Sequence, residues 1–265
     1  MGVVNVTPDS FSDGGRHFTP ADALAHARRL IAEGADILDI GGESTRPGAA
    51  PVEAAEEIGR VVPLIVAIRA ESAVAISIDT MKPAVARAAM AAGAHIWNDV
   101  SALGYDSESL SLAADLGCEV VLMHMQGNPR TMQQDPQYDD VAVEVAAMLA
   151  DRAEAAMAAG VARERIWLDP GVGFGKHTTR HNLPLLAGLD RLVALGFPVL
   201  LGASRKRFIA AIDPAGASPD KRLGGSIATA LVGAAAGVAA VRVHDVAETV
   251  QALAVWQAIA DARLD

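Results

Sequence analysis

Eight short apolar runs recur along the chain, and each soon meets a polar or charged residue that a core strand has no reason to end on. Val3 to Val4 meets Asn5, Ile37 to Ile40 meets Glu43, Ser44 and Thr45, Val74 to Ile78 meets Asp79, and Ile96 to Trp97 meets Asn98. Val120 to Met123 meets His124, Ile166 to Leu168 meets Asp169, Val199 to Leu201 meets Ser204, and Val241 to Val243 brackets Arg242 and meets His244. Runs apolar on both faces belong to parallel strands covered by other elements. The polar endings then gather at one end of a sheet, so the pattern constrains both the fold and the face on which it works.

The segments between the runs read as helices, so strand and helix alternate regularly. Thr19-Pro20-Ala21-Asp22 opens the first with an N-cap, a proline in the first turn and an acid beside the helix dipole. Val52 to Ala70, Lys82 to Ala92, Ser107 to Leu116, Asp139 to Ala159, Leu183 to Leu195, a stretch from Ser204 on and Val246 to Ala262 continue the series. A glycine stops five of these helices, at Gly34, Gly93, Gly117, Gly160 and Gly196. An open doubly wound sheet would give the same local reading. Eight units within 265 residues favour the closed α/β form, a (β/α)8 TIM barrel occupying residues 1 to 265 as one domain. Active sites of such barrels form at the C-terminal ends of the strands, where three long loops are expected here, at 6–19, 41–51 and 171–182.

The net charge of −10 excludes a broad nucleic-acid or anionic-membrane surface, which would require clustered Lys and Arg. Any phosphate-bearing ligand must therefore meet a local cationic site. Cys118 is the sole cysteine, which excludes an intrachain disulfide and reads as a buried structural thiol. No basic and apolar leader precedes the first run, and the expected location is cytoplasmic. Leu223 to Val241 carries no charge over nearly the length of a membrane span, but its Gly, Ser, Thr and Ala content predicts a buried helix ending at Gly237 before a buried strand.

Several strand-end residues carry chemistry of their own. Asp79, Asn98 and Asp169 could form a slot for a planar heterocycle with paired N–H donors, while each Asp taken singly reads as well as a cap for the following helix. Asp169 to Lys176 is rich in glycine around one aromatic, Phe174, without the spacing of a nucleotide-binding loop, and predicts a mobile lid. Arg46, Arg242 and His244 are cationic groups suited to a phosphate or diphosphate, with Asn5 and Thr45 as neutral oxygen donors that could share a Mg²⁺ with it. The bland alternative for Arg242 and His244 is an ion pair with Asp245 or Glu248. Ser204-Arg205-Lys206 follows a strand and opens a helix, a favourable place for a carboxylate. His17, His26, His95, His177 and His181 read as structural, and Glu43 and His124 have no assigned task.

Taken in order, Asn5 to Gly15, Gly41 to Gly48, Asp79-Thr80, Asn98-Asp99, Met123 to Gly127, Asp169 to Lys176, Ser204 to Lys206 and Arg242 to Asp245 resemble the dihydropteroate synthase family. The resemblance implies condensation of 6-hydroxymethyl-7,8-dihydropterin diphosphate with 4-aminobenzoate to 7,8-dihydropteroate and pyrophosphate, with Mg²⁺, in a homodimer that sulfonamides target. It implies a pterin and diphosphate site at Thr45, Asp79, Asn98, Met123, Asp169, Lys206, Arg242 and His244. An aminobenzoate site would comprise Thr45, Arg46, Pro47, Phe174, Ser204 and Phe11, with Asn5 as the metal contact. Asp169, Lys206, Asp13 and Arg46 would stand nearest the reaction, an SN1-like departure in which the loop carrying Phe11 and Asp13 closes over the site. Two other readings share the pterin slot, a methyltetrahydrofolate-corrinoid methyltransferase and a non-catalytic pterin-binding protein. Arg242, His244 and Ser204 to Lys206 weigh against the first, which has no diphosphate to bind.

Overall fold

In the computed structural model the described residues are 1–6, 19–44, 50–127 and 131–262. Six strands lie side by side in chain order and parallel: β1 (Gly2–Asn5), β2 (Ile37–Gly41), β3 (Ala75–Asp79), β4 (Ile96–Asp99), β5 (Glu119–Met123) and β6 (Ile166–Asp169). β7 (Leu200–Leu201) and β8 (Ala240–Val241) form a second parallel pair. Two bridges join the pieces into a ring. Leu168 pairs with Val199 between β6 and β7, and Gly2 pairs with Val243 between β1 and β8. The backbone donors Leu168 N to Pro198 O at 2.9 Å and Val3 N to Val243 O at 3.1 Å hold these seams. Among the described residues the sheet has no free edge left, and the architecture is a (β/α)8 barrel.

Among the described residues ten α-helices follow the strands: α1 (Pro20–Ala32), α2 (Ala54–Glu71), α3 (Pro83–Ala91), α4 (Ser109–Leu116), α5 (Val141–Ala158), α6 (Asn182–Ala187), α7 (Leu189–Val193), α8 (Arg207–Ile212), α9 (Leu223–Ala236) and α10 (Val246–Asp261). Thr19 and Asp22 form a reciprocal capping box at the start of α1, as their spacing predicts. All five helix-stop glycines have positive φ, from +58° at Gly117 to +108° at Gly160. The helix expected over Leu183 to Leu195 is instead two short ones. It breaks at Gly188, where a Cβ would lie 2.9 Å from that of Ala142 on α5, so close helix packing displaces a regular turn there. The uncharged stretch from Leu223 resolves into α9, Gly237 and β8, and among the described residues no helix is long and apolar enough to cross a membrane.

Side chains alternate along each strand between the helices outside and the barrel interior. Leu38, Ile40, Ile76, Ile78, Val120, Leu122 and Leu168 belong to the large cluster shared with helix residues such as Leu30, Ile65 and Val85. Their neighbours face inward and form two unlike layers. Near the strand starts Ile96, Val121 and Leu200 pack with Ile37, Trp167 and Ala240 as a dry plug. One step along, the inward residues turn polar: Asp39 on β2, Asp79 on β3, Asn98 on β4 and Asp169 on β6, with Arg242 just past β8.

Candidate active site

A single guanidinium organises the barrel mouth. Arg242 Nε donates to Asp39 Oδ2 at 2.6 Å and its Nη2 donates to Asp79 Oδ2 at 2.9 Å, while Asn98 Nδ2 donates to the other Asp39 oxygen at 3.2 Å. Three adjacent strands and β8 are thereby bound across the ring. Asp169 turns into the same space, its Oδ1 accepting from Gly171 N at 2.7 Å. Gly202 opposite has no side chain, which leaves room for Asp169 and Arg242 to approach each other. Lys206, past the end of β7, completes the set and stands with its Nζ 4.3 Å from the centre of the Phe174 ring.

The charges are poised rather than neutralised. Burial and the negative Asp39 push Asp79 up to about 7, because the two carboxylates compete for one guanidinium. Burial opposes the charge on Arg242, yet Asp39 and Asp79 outweigh it and hold the group above its ordinary value. Burial and Arg242 draw Lys206 down to about 8, and burial raises Asp169. Such an arrangement offers several strong acceptors and one ammonium to a flat ligand that has both N–H edges and a carbonyl.

Among known proteins, the family profile of pterin-binding enzymes matches residues 1–244. The dihydropteroate synthase of Escherichia coli K12 is 48% identical over 263 residues, which is 99% of this chain and 92% of that protein. The structure of the Yersinia pestis dihydropteroate synthase with a sulfonamide drug superposes with a TM-score of 0.93 at 45% identity, covering 98% of this chain and 94% of the other. The chain belongs to the dihydropteroate synthase family of pterin-binding enzymes. The Xanthomonas albilineans dihydropteroate synthase in complex with 7,8-dihydropteroate has a TM-score of 0.88 at 50% identity, with coverage of 98% and 92%.

In this member of the family, Asp79, Asn98, Asp169, Lys206 and Arg242 come together as the sequence expects, and Met123 at the end of β5 is buried beside Asp169 in register. Phe11, Asp13, Thr45, Arg46 and Pro47 lie outside the described residues. Asp39 is the member the sequence reading missed. A charged residue in the centre of the core run Ile37-Leu38-Asp39-Ile40 was the available signal, since a fully buried carboxylate needs a partner. The bland reading of Arg242 as a partner of Asp245 fails. Arg205 takes Asp245 instead, through Nε at 3.0 Å and Nη2. Asp79 is no helix cap either, since Lys82 is the N-cap of α3 and Thr80 Oγ1 accepts its N–H.

Two further expectations are corrected. Burial and then Arg242 hold the His244 imidazole down at about 3, so without a bound anion it is neutral where the sequence suggests a cation. Its Nδ1 lies 3.0 Å from Ser204 Oγ, which also accepts the His244 N–H at 3.2 Å, so the Ser204 hydroxyl is committed to His244. With the serine proton on that bond, the imidazole presents Nε2–H as a neutral donor. The glycine-rich segment is also no free lid. At Gly171 (φ +65°) a Cβ would overlap the carbonyl oxygen of His124, Tyr138 donates to Gly175 O at 2.7 Å, and the Lys176 side chain is buried within the loop. These contacts fix a segment whose composition suggested freedom. Ser204 to Lys206 falls just short of a helix start, since α8 begins at Arg207 and Arg205 has φ of +57°.

Glu43 and His124 also acquire places. Lys82 Nζ lies 2.6 Å from both Glu43 and Glu57, and Glu43 accepts from Val52 N at 3.0 Å. His124 lies 2.9 Å from Lys176. The remaining described histidines hold backbone or one another, His26 against Val3 O and His95 against Ile76 N, while His17 lies outside the described residues.

Among the described residues no group of three or more His, Cys, Asp and Glu is arranged to hold a metal ion. A hard cation that keeps its waters and takes most of its oxygens from a diphosphate needs less from the protein. Asn5 fits that limited demand, because its amide oxygen stands at the strand end facing Gly41, beside the Asp79 strand.

Proposed function

We propose that the chain condenses 6-hydroxymethyl-7,8-dihydropterin diphosphate with 4-aminobenzoate, releasing pyrophosphate and forming 7,8-dihydropteroate. The observation that carries this reading is the convergence of Asp79, Asn98, Asp169, Lys206 and Arg242 in the mouth of one barrel. Asp79, Asn98 and Asp169 accept the N–H groups of the pterin, Lys206 donates to its polar edge, and Met123 lies against its face. Arg242 spends two of its five N–H donors on Asp39 and Asp79, leaving the others for the diphosphate, beside the neutral N–H of His244.

The reaction breaks the bond between the pterin methylene carbon and the diphosphate oxygen, whose electron pair leaves with pyrophosphate. Mg²⁺, held by Asn5 and the diphosphate, would supply further charge for that leaving group. Arg242 stabilises the developing negative charge, and Asp169 offsets the positive charge left on the ring. The nitrogen lone pair of 4-aminobenzoate then bonds to the methylene carbon, and its proton is lost to solvent. Phe174 walls the aminobenzoate, and by the family resemblance Thr45, Arg46, Pro47, Phe11 and Ser204 are assigned to the same substrate. By the same resemblance Asp13 is assigned to shielding the cation, and exclusion of water from the site would protect the substrate from hydrolysis.

The proposed state is a cytoplasmic homodimer joined through α9 and α10, whose outward faces expose Val232, Val250, Val255 and Ile259. Sulfonamides are expected to compete with aminobenzoate. Pyrophosphate release with both substrates and Mg²⁺ tests the activity. Asp169→Asn and Lys206→Ala should each weaken pterin binding in calorimetry. No pyrophosphate, together with unchanged affinity in both variants, would remove these roles.

A further inference from the structure

The Lys176 side chain is 1% exposed, and its close partners are all neutral: His124 Nδ1 at 2.9 Å, Phe174 O at 3.0 Å, Gly171 O at 3.1 Å and His124 O at 3.4 Å. A buried ammonium met only by neutral acceptors is costly. Burial accordingly draws Lys176 down to about 7, and burial together with Lys176 draws His124 down to about 3, leaving the imidazole neutral as an acceptor. Hydrophobic packing does not explain the arrangement. Its geometry joins two points of one loop to the end of β5.

That loop contains Gly171, Gly173 and Gly175, residues that impose the least order on a backbone. Gly173 and Gly175 are held from outside the loop, by Gln133 and Asn182 at Gly173 and by Tyr138 at Gly175, and Lys176 adds the contacts at Gly171 and Phe174 from within it. Gly171, whose carbonyl it binds, donates its N–H to Asp169, and Phe174, whose carbonyl it also binds, lies against Lys206. Asp169 is a strand residue set by β6, whereas Phe174 is a loop residue whose own carbonyl is held by Lys176 and whose ring meets Lys206.

We propose that Lys176 is a positioning residue for the second substrate: its buried ammonium fixes the Phe174 backbone so that the ring is held against Lys206 as a wall of the aminobenzoate site. The proposal rests on the reading of Phe174 as part of that site. Its test is a double-mutant cycle in the full chain, with KM measured separately for each substrate in the parent, Phe174→Ala, Lys176→Met and the double variant. Lys176→Met should raise KM for 4-aminobenzoate about tenfold, the cost of a small misplacement of a binding group, with KM for the pterin diphosphate held within about twofold. In the Phe174→Ala background the same substitution should add less than about twofold, because its route of action is gone.

Equal increments in both backgrounds, or a parallel rise in both KM values, would overturn the positioning role and leave Lys176 as scaffold. If Phe174→Ala itself leaves KM for aminobenzoate unchanged, the assignment of Phe174 falls and the proposal with it. If Phe174→Ala raises it and Lys176→Met does not, only the role of Lys176 falls. Should Lys176→Met fail to fold, Lys176→Gln keeps two N–H donors and is expected to raise the same KM about threefold. An unchanged value in that variant also refutes the proposal.

Discussion

Two triads in this molecule, each built on one fully buried carboxylate, have the same charges and different work. Arg242 stands between Asp39 and Asp79 inside the barrel mouth, and Lys82 stands between Glu43 and Glu57 behind the strands. Lys82 is matched to its acids at 2.6 Å on both sides, and the two bonds outweigh burial to keep its charge favoured. In the mouth the guanidinium keeps unused donors, and burial, with Asp39 beside it, pushes Asp79 up to about 7 against the pull of Arg242. A closed triad fastens a chain segment. An open one keeps charge available for a ligand, at some cost to the fold.

Arg242→Met is expected to have the largest effect on turnover, a loss on the order of a hundredfold to a thousandfold in kcat/KM, measured by pyrophosphate release. Retained activity would mean that the open triad is structural after all. Asp39→Asn should follow, with a loss of about tenfold and a shift in pH dependence. In the parent, protonation of Asp79 as pH falls through about 7 removes an acceptor, so pterin affinity should decline from pH 8 to pH 6. Asp39→Asn removes one cause of the raised value, and the decline should move to lower pH. A profile that stays in place would show that Asp39 does not act on Asp79.

Lys82→Met sharpens the contrast from the other side. It should destabilise the fold by about 3 to 5 kcal/mol in urea unfolding, since the fully buried Glu57 and the partly buried Glu43 lose their cation. Turnover at low temperature should remain within about threefold of the parent. If it drops as far as in Arg242→Met, the two triads are not functionally distinct. Cys118→Ala should do least, changing turnover by less than about twofold, because the thiol is buried and pushed up to about 11, remote from the thiolate a nucleophile needs.

The order of elements was largely legible because it depends on local signals. Thr19 and Asp22 announce a helix start, and Gly34 or Gly160 announces an end, through backbone preferences that act within a few residues. Asp79, Asn98 and Asp169 were legible as strand ends for the same reason. Gly188 misled the reading of one helix, since its role is an approach to α5 distant in sequence. The glycine-rich loop misled it too, because composition reports the freedom of an isolated segment and not Lys176 folding back into it. Asp39 was missed as a partner for Arg242, a residue 203 positions away.

By itself the sequence determined that this chain alternates strand and helix, which side chains alternate inward, and which polar groups arrive at one face. Periodicity, capping and helix-stop chemistry are encoded in neighbouring residues, so no tertiary knowledge is needed to read them. The tertiary structure alone decided how the charges are shared. Hydrogen-bond partners and burial are set by distances across the closed ring, and these made Asp39 the hub, His244 neutral and the glycine loop fixed.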